Sequence, residues 1–350
     1  MSEVVTFVWP GDLHIETADR ENYRTALWMA DEVNDWVRPD FVQFPGDNVQ
    51  HATQDQFRLF QELCARLTVP WYALVGDHDA HHDPKANGFR AHVGDTYGSH
   101  SLAGYRFIRL NSMEYKPLGI SPEQILWFQF EVEQALLKKE KIVVFQHHYP
   151  FQIWEDYRGP GIDRWREIIT TRPIEAIFAG HTHYGQIAND GHNLAIATRS
   201  IGDPEGGPAG FAVVHLDGDD LAMVYRSIED SGPLVMVTHP RDVILARHGG
   251  HIVSGPVEFR VRTWSREPVQ TARGRIDGGP WFELKRKDQS LWTGPIAGDT
   301  LAKGEHDLEV QATDAAGQTG QTHLRFMVDR SGRYTAYPRV KPEVTYTKYC

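Results

Sequence analysis

Five times within its first 183 residues, this chain ends an apolar run in a tight cluster of aspartate or histidine. The clusters are Gly11-Asp12-Leu13-His14, Gly46-Asp47-Asn48, Gly76-Asp77-His78-Asp79, His147-His148-Tyr149-Pro150 and Gly180-His181-Thr182-His183. The runs before them, at residues 4–9, 41–44, 71–75, 142–145 and 176–179, read as short buried strands. Between them, Tyr23, Leu27, Ala30, Val33, Trp36 and Val37 recur at helical spacing, as do Phe57, Phe60, Leu63 and Leu67. Ser121-Pro122-Glu123-Gln124 opens a further helix with an N-cap serine, a proline at the first helical position and a capping-box glutamine. Alternating strands and helices predict an α/β fold with a largely parallel inner sheet. Such a fold gathers ligands at the carboxyl ends of its strands.

Aspartate and histidine in these places point to a metal. Asp12 and His14 are two residues apart, and on an extended strand end that spacing puts both side chains on one face. His181 and His183 repeat the arrangement with two imidazoles. Asp47 follows a glycine that permits a sharp turn, and its two oxygens can serve two ions. Imidazole with carboxylate suits Mn, Fe, Zn or Co. One Asp-x-His cluster is weak evidence, because an aspartate after glycine also serves in turns. The signal is five clusters in order, each after an apolar run.

In order and spacing, the clusters resemble those of the calcineurin-like metallophosphoesterases, whose pattern is D-x-H, GD, GNH-D/E, H and GH-x-H. The resemblance covers the first two thirds of the chain and departs at Asp77, where the family has asparagine. It implies a two-sheet β-sandwich flanked by helices, holding two metal ions. Metal one would take Asp12, His14, Asp47 and His183; metal two would take Asp47, Asp77, His147 and His181. His147 is favoured over His148 because the family's ligand is the first histidine of the pair. His78 matches the family's catalytic histidine, and Asn48 matches its substrate-positioning asparagine. The implied reaction uses a metal-bridging hydroxide to attack phosphorus, with His78 protonating the leaving oxygen. The Gly-Asp-His-Asp cluster, ending in Asp79, and the short Asp-Leu-His start resemble the cyclic-nucleotide and glycerophosphodiester phosphodiesterase branch. That implies a small phosphodiester substrate. The alternatives are a phosphomonoesterase or nucleotidase of the same fold, or a non-catalytic metal-binding scaffold with a decayed site.

Asp77 changes the charge of such a centre. Two divalent ions, two carboxylates and a hydroxide leave one positive charge, and an ionised Asp77 cancels it. An Fe(III)–divalent pair restores that charge, and a less anionic substrate such as a diester tolerates its loss. The plainer reading is that Asp77 ligates through one oxygen, as asparagine would.

At 350 residues, the chain can form one large domain or two ordinary ones. A formal charge of −11 disfavours a general nucleic-acid surface, and with it a nuclease. It does not disfavour a small phosphoester, because bound metal reverses the local field. Cys64 and Cys350 provide no disulfide framework, and Cys64 reads as a small core residue. The N-terminus lacks a basic segment and a signal-length apolar run. No segment approaches the ~18 apolar residues of a membrane span. The expectation is a cytoplasmic protein without a membrane partner, with homo-oligomerisation left open.

Runs at 194–198, 211–216 and 222–227 look like hairpins suited to the second sheet. Beyond about residue 230, helical periodicity gives way to alternating runs at 257–262, 281–284 and 306–311, then a turn at 313–320 and a strand at 323–328. This predicts an all-β, immunoglobulin-like or fibronectin-III-like sandwich. The expected organisation is a catalytic domain at 1–230, a sandwich at 231–330 and an extended tail at 331–350. Two loops are expected to rim the site: 80–101, with His81, His82, His92, Tyr97 and His100, and 151–161, with Trp154 and Tyr157. Arg90, Arg158 and Arg199 are candidates for phosphate contact. Trp264, Trp281 and Trp292 are expected in the core.

Overall fold

The computed structural model describes residues 4–83, 85–115, 118–148, 161–246, 252–333 and 339–341. Along the chain run β1 (Val4–Pro10), α1 (Glu21–Glu32), β2 (Phe41–Phe44), α2 (Gln54–Arg66), β3 (Trp71–Ala73) and α3 (Asn87–His92). Next come β4 (Gly98–Leu102), β5 (Tyr105–Leu110), α4 (Pro122–Leu137), β6 (Lys141–Gln146), α5 (Ile162–Thr171) and β7 (Ile174–Ala179). After β8 (Gln186–Asn189), β9 (Leu194–Ala197), β10 (Gly210–Asp217) and β11 (Asp220–Ser227), the described residues carry only strands and one short 3-10 turn. These strands are β12 (Leu234–His239), β13 (Pro256–Trp264), β14 (Val269–Ile276), β15 (Phe282–Glu283), β16 (Lys285–Arg286), β17 (Leu291–Ala297), β18 (Gly304–Asp314), β19 (Thr319–Val328) and β20 (Arg339–Lys341).

Two sheets face each other. The first has the order β11-β10-β1-β2-β3, with β1, β2 and β3 parallel. The second has the order β20-β8-β9-β7-β6-β5-β4, parallel through β5, β6, β7 and β9. Period-two alternation sends Val5, Phe7 and Trp9 of β1 inward and Val8 outward, and all four are fully buried. Both faces of β1 are covered, so its sequence reads as a continuous apolar run. Between the sheets, Phe7 packs with Phe41, Phe107, Phe145 and Phe178 at centroid distances of 5.1, 6.1, 5.6 and 5.3 Å. Each such ring contributes roughly 1.5–3 kcal/mol by burial.

Helices close both outer faces. Tyr23, Ala26, Met29 and Ala30 of α1 join Phe57, Phe60 and Leu63 of α2 on the first sheet. Phe128 and Val132 of α4 join Trp165 and Ile169 of α5 on the second. The result is the four-layer arrangement expected of a β-sandwich flanked by helices. Among the described residues, no helix is long and apolar enough to cross a membrane.

In the C-terminal region, the order β12-β13-β17-β16 packs against β15-β14-β18-β19. Phe259, Val261, Trp292, Val310 and Phe326 fill the space between. Trp292 is buried and donates through Nε1 to Thr263 Oγ1 at 3.2 Å. Trp281 lies beneath two guanidinium groups, Arg273 and Arg275. Trp264 packs half-buried against the core between the first sheet and its helices. The tail returns as β20, antiparallel to β8.

Several expectations need correction. The strands at 210–217 and 220–227 join the first sheet, β10 pairing with β1 and β11 with β10, whereas the run at 194–198 joins the second as β9. A hairpin's sequence does not encode which edge receives it. The helix from Tyr23 widens into a π turn at Val33–Val37 and stops at left-handed Arg38. Ser121 caps α4 as expected, accepting from Gln124 N at 3.1 Å. The reciprocal arm of the capping box comes from Glu114, which accepts from Ser121 N at 2.7 Å, while Gln124 bonds Asn111. The stretch at 80–101 is not a plain loop: it holds α3 and the start of β4. The loop at 151–160, with Trp154, Tyr157 and Arg158, lies outside the described residues, as does Cys350.

Candidate metal centre

Every cluster follows the carboxyl end of a strand: β1, β2, β3, β6 or β7. Backbone bonds lace the strand ends together. Leu13 N and His14 N both donate to Asp47 O, at 3.0 and 2.9 Å, and Gly180 N donates to His147 O at 2.9 Å. Asp12 O accepts from Ile201 N, Gly202 N and Ser200 Oγ.

The side chains do not converge by strand alternation. β1 ends at Pro10, and His14 has φ +48°. Asp47, His181 and His183 also have positive φ, at +49°, +68° and +58°. A left-handed residue with a side chain costs roughly 1–2 kcal/mol. Strain of this kind concentrates where the surrounding structure over-determines the backbone. Same-face placement of Asp12 with His14, and of His181 with His183, is therefore made by tight turns, not by an extended strand. The glycines serve close approach: a Cβ on Gly76 would overlap Asp47 Oδ1, and one on Gly180 would lie 2.6 Å from Asp12 Oδ1.

Two groups of donors result, with Asp47 beside both. His14 Nε2 and His183 Nε2 face each other at 3.0 Å, and Asp12 Oδ2 is 3.6 Å from His183 Nε2. On the other side, Asp77 Oδ1 lies 3.2 Å from His147 Nε2, 3.1 Å from His181 Nδ1 and 3.5 Å from His148 Nε2. Asp47 Oδ2 is 3.3 Å from His147 Nε2 and 3.9 Å from His14 Nε2. The donor atoms of Asp12, His14 and His183 lie within 4.8 Å of one another, as do those of Asp77, His147, His148 and His181. Asp12, Asp47 and His147 form a linking group of the same size, and so do His14, Asp47 and His78.

These residues fit a metal. Asp12 is buried, yet its Oδ1 has no hydrogen-bond partner, and an unpaired buried acceptor costs about 1–3 kcal/mol unless something donates to it. His147 Nδ1 donates to Pro45 O at 2.8 Å, which leaves the Nε2 lone pair for the centre. This outer bond is what orients a ligating imidazole. Burial opposes the charge of Asp47 and Asp77, but neighbouring histidines outweigh it and hold both carboxyls well below their ordinary range. For His147, burial is likewise outweighed, by Asp47, and the ring is pushed well up. Anions and imidazoles that stabilise one another this strongly form a site built around positive charge.

His78 borders the centre. Its backbone N donates to Asp47 Oδ1 at 2.9 Å, its Nδ1 donates to Gln50 O at 2.9 Å, and its ring lies 4.6 Å from His14. Nε2 is the ring nitrogen left for chemistry. Asn48 departs from its expected role. It is fully buried, and both N–H groups of its amide are committed, to Leu74 O at 2.9 Å and Asp79 Oδ2 at 2.8 Å. It frames the site instead of presenting donors to a substrate.

Three residues to which the sequence assigned no role lie at the site. His148 is buried, paired with Ser112 Oγ at 2.7 Å, and held down at about 4 by burial. The His147-His148 repeat was the available signal. Asp79 accepts from Gly76 N, Asn48 Nδ2 and Val49 N, and burial with the charge of Asp47 pushes its carboxyl up to about 7. Asp203, on an exposed turn, reaches within 3.6 Å of His183 Nδ1. Arg199 is spent on the carbonyls of Glu205, Gly206 and Pro208. Arg90, on α3, donates to Lys85 O.

A profile of the calcineurin-like phosphoesterase family matches residues 5–185, more than half of the chain. A probable glycerophosphodiester phosphodiesterase, GpdQ, from Arcobacter nitrofigilis is 28% identical over an alignment of 159 residues that covers 42% of this chain and 57% of that protein. The matched part thus spans little more than half the length of this curated relative. Two solved structures share the fold at a TM-score of 0.51 and 14% identity. One is a dimetal phosphatase from Danio rerio, aligned over 64% of this chain and 96% of that one. The other is purple acid phosphatase PPD1 from yellow lupin, aligned over 65% of this chain and 52% of that one.

Proposed function

The chain belongs to the calcineurin-like phosphoesterase family, and from that premise we propose that it hydrolyses small phosphodiesters at a dinuclear metal centre. The observation that carries the reading is the convergence of Asp12, His14, His183 and Asp47 on one side with Asp47, Asp77, His147 and His181 on the other. These sets would hold two ions from Mn, Fe, Zn or Co. When bound, such ions supply Lewis acidity toward phosphoryl oxygens and a water of lowered pKa.

The chain's own groups do the rest. Pro45 O keeps His147 Nε2 turned inward. Gln50 O holds the Nδ1 proton of His78, so His78 protonates a leaving oxygen from Nε2 while in its doubly protonated form. Asp77 adds a carboxylate where the family pattern has an amide. The extra negative charge disadvantages a doubly charged monoester more than a singly charged diester. The relative described as a glycerophosphodiester phosphodiesterase supports the same choice. The charge of −11 favours a small phosphoester over nucleic acid. The C-terminal sandwich fits an immunoglobulin-like domain.

The test is elemental analysis of the full chain reconstituted with Mn, Fe, Zn or Co, paired with hydrolysis of bis-p-nitrophenyl and p-nitrophenyl phosphate. Two metals per chain with faster diester turnover is expected. Two metals with no turnover of either ester would favour the binding-scaffold reading. Fewer than two after every reconstitution would mean that Asp77 disables the second position. His78→Ala should slow alkyl diesters by roughly 10²–10⁴-fold and bis-p-nitrophenyl phosphate far less, because p-nitrophenolate leaves without a proton. Equal slowing of both would remove His78 as the acid.

A further inference from the structure

α4 is apolar on two faces. Ile125, Phe128, Val132 and Ala135 are buried in the core beneath it, on the second sheet. Leu126, Phe130 and Leu137 face solvent instead and are 68%, 57% and 76% exposed. At about 100° per residue, these three lie within roughly 40° of one another, in one stripe along the helix. Half-buried Trp127 borders the stripe, its ring 4.9 Å from that of Tyr97. Among the described residues, the only other large apolar side chains exposed to a comparable degree are Tyr115 and Ile228, so the exposed apolar surface is concentrated on this helix. The neighbouring α5 has the ordinary pattern, with Asp163, Arg164 and Glu167 on its exposed side. A helix apolar on all sides is normally covered, and a contiguous apolar patch marks an interaction surface.

Charge selects what covers the stripe. Glu123 is exposed in the first turn of α4, and Lys138 is exposed at its C-cap. Neither has an ion-pair partner among the described residues. Helical periodicity places both on the flank nearer Phe130. A two-fold axis that lays a second α4 antiparallel on the first sets Leu126 of each copy against Leu137 of the other. It also sets Glu123 of each copy beside Lys138 of the other. A parallel pair would oppose Glu123 to Glu123 and Lys138 to Lys138. A two-fold interface has to be self-complementary, and this face is so in the antiparallel sense.

We propose that the outer face of α4 is a homodimer interface, in which a second copy of this chain packs its α4 antiparallel across Leu126, Phe130 and Leu137. The proposal stands independently of the phosphodiesterase reading, because none of the candidate metal ligands lies on α4.

Sedimentation velocity of the full chain over a range of concentrations reads the proposal. A reversible dimer is expected, with a Kd on the order of 10 μM for so small a patch. Leu126→Glu and Phe130→Glu, at exposed positions, should each leave a monomer with unchanged circular dichroism. Glu123→Lys and Lys138→Glu should each weaken the dimer by about tenfold, since each turns two attractions into two repulsions. An equimolar mixture of these two variants should pair again, because each then meets the opposite charge. A monomer at every concentration would overturn the proposal and leave the stripe to another segment or a different partner. A dimer that persists in folded Leu126→Glu and Phe130→Glu would place the interface elsewhere. A mixture that pairs no better than either charge variant alone would overturn the antiparallel arrangement. The charge variants leave the apolar stripe intact, so they decide even where an apolar-to-charged variant misfolds.

Discussion

Asp77 and Gly76 sit side by side in the chain and govern the centre in different ways. Asp77 acts by charge: its Oδ1 is approached by three imidazoles. Replacing it with asparagine removes one negative charge while keeping a ligating oxygen. Asp77→Asn should raise monoester kcat/KM relative to diester kcat/KM by about tenfold, the equivalent of 1.4 kcal/mol, with metal content retained. An unchanged ratio would leave only the plainer reading, in which either residue ligates alike. Gly76 acts by space, since a Cβ there would overlap Asp47 Oδ1. Gly76→Ala should therefore displace Asp47 and weaken metal binding by about 10–100-fold, as loss of ligand orientation does. Competition with a chelator would measure it. Wild-type affinity in Gly76→Ala would mean that Asp47 is not a ligand.

The β4–β5 hairpin carries a half-buried histidine with no part in the metal centre. His100 stacks on Tyr72 at 4.0 Å and accepts from Arg109 Nη1 at 3.1 Å through Nδ1. Burial first, then Arg109 and Arg106, hold it down at about 3, against about 6.5 in an unfolded chain. A lowered histidine binds its proton only after unfolding. Its contribution to stability is complete above pH 6.5 and lost as pH falls from 6.5 toward 3. Between pH 7 and pH 5, the wild type should lose about 1 kcal/mol more than His100→Phe, allowing for partial exposure. Urea titrations at the two pH values would show it, and parallel losses would refute it. The helices beside these strands were legible from apolar spacing and caps because both signals are local. The partner of the capping box was not, because Glu114 reaches Ser121 from outside the helix.

Across the molecule, Glu32 ties the two regions together. This buried carboxylate on α1 bonds Arg226 of β11 at 3.1 Å and Arg266, which follows β13. Arg226 is itself buried, whereas the side chain of Arg266 is 57% exposed. Glu32→Gln leaves a buried guanidinium without its counter-charge and should cost about 3 kcal/mol in chemical denaturation. Arg266→Ala removes only a solvent-facing partner and should cost no more than about 1 kcal/mol. Equal losses would place the coupling in packing, not in charge.

Two things were decided by the sequence. One is the alternation of strand and helix patterns, written by short-range apolar spacing that burial then enforces. The other is the identity of the residues that gather at the strand ends, because parallel strands leave their carboxyl ends on one edge. The tertiary structure decided the rest. Left-handed turns at His14, Asp47, His181 and His183 aim the ligands. Those conformations persist only because cross-strand bonds, such as those to Asp47 O and Asp12 O, hold them in place. Asn48 reads as a substrate contact until Leu74 O and Asp79, 26 and 31 residues away, take both its donors. The β10–β11 hairpin joins the first sheet because β1 offers it an open edge. A cavity lined by Gly185, Met236 and Leu324 exists only once these distant segments meet. Contacts between residues far apart in the chain depend on packing, which no local pattern records.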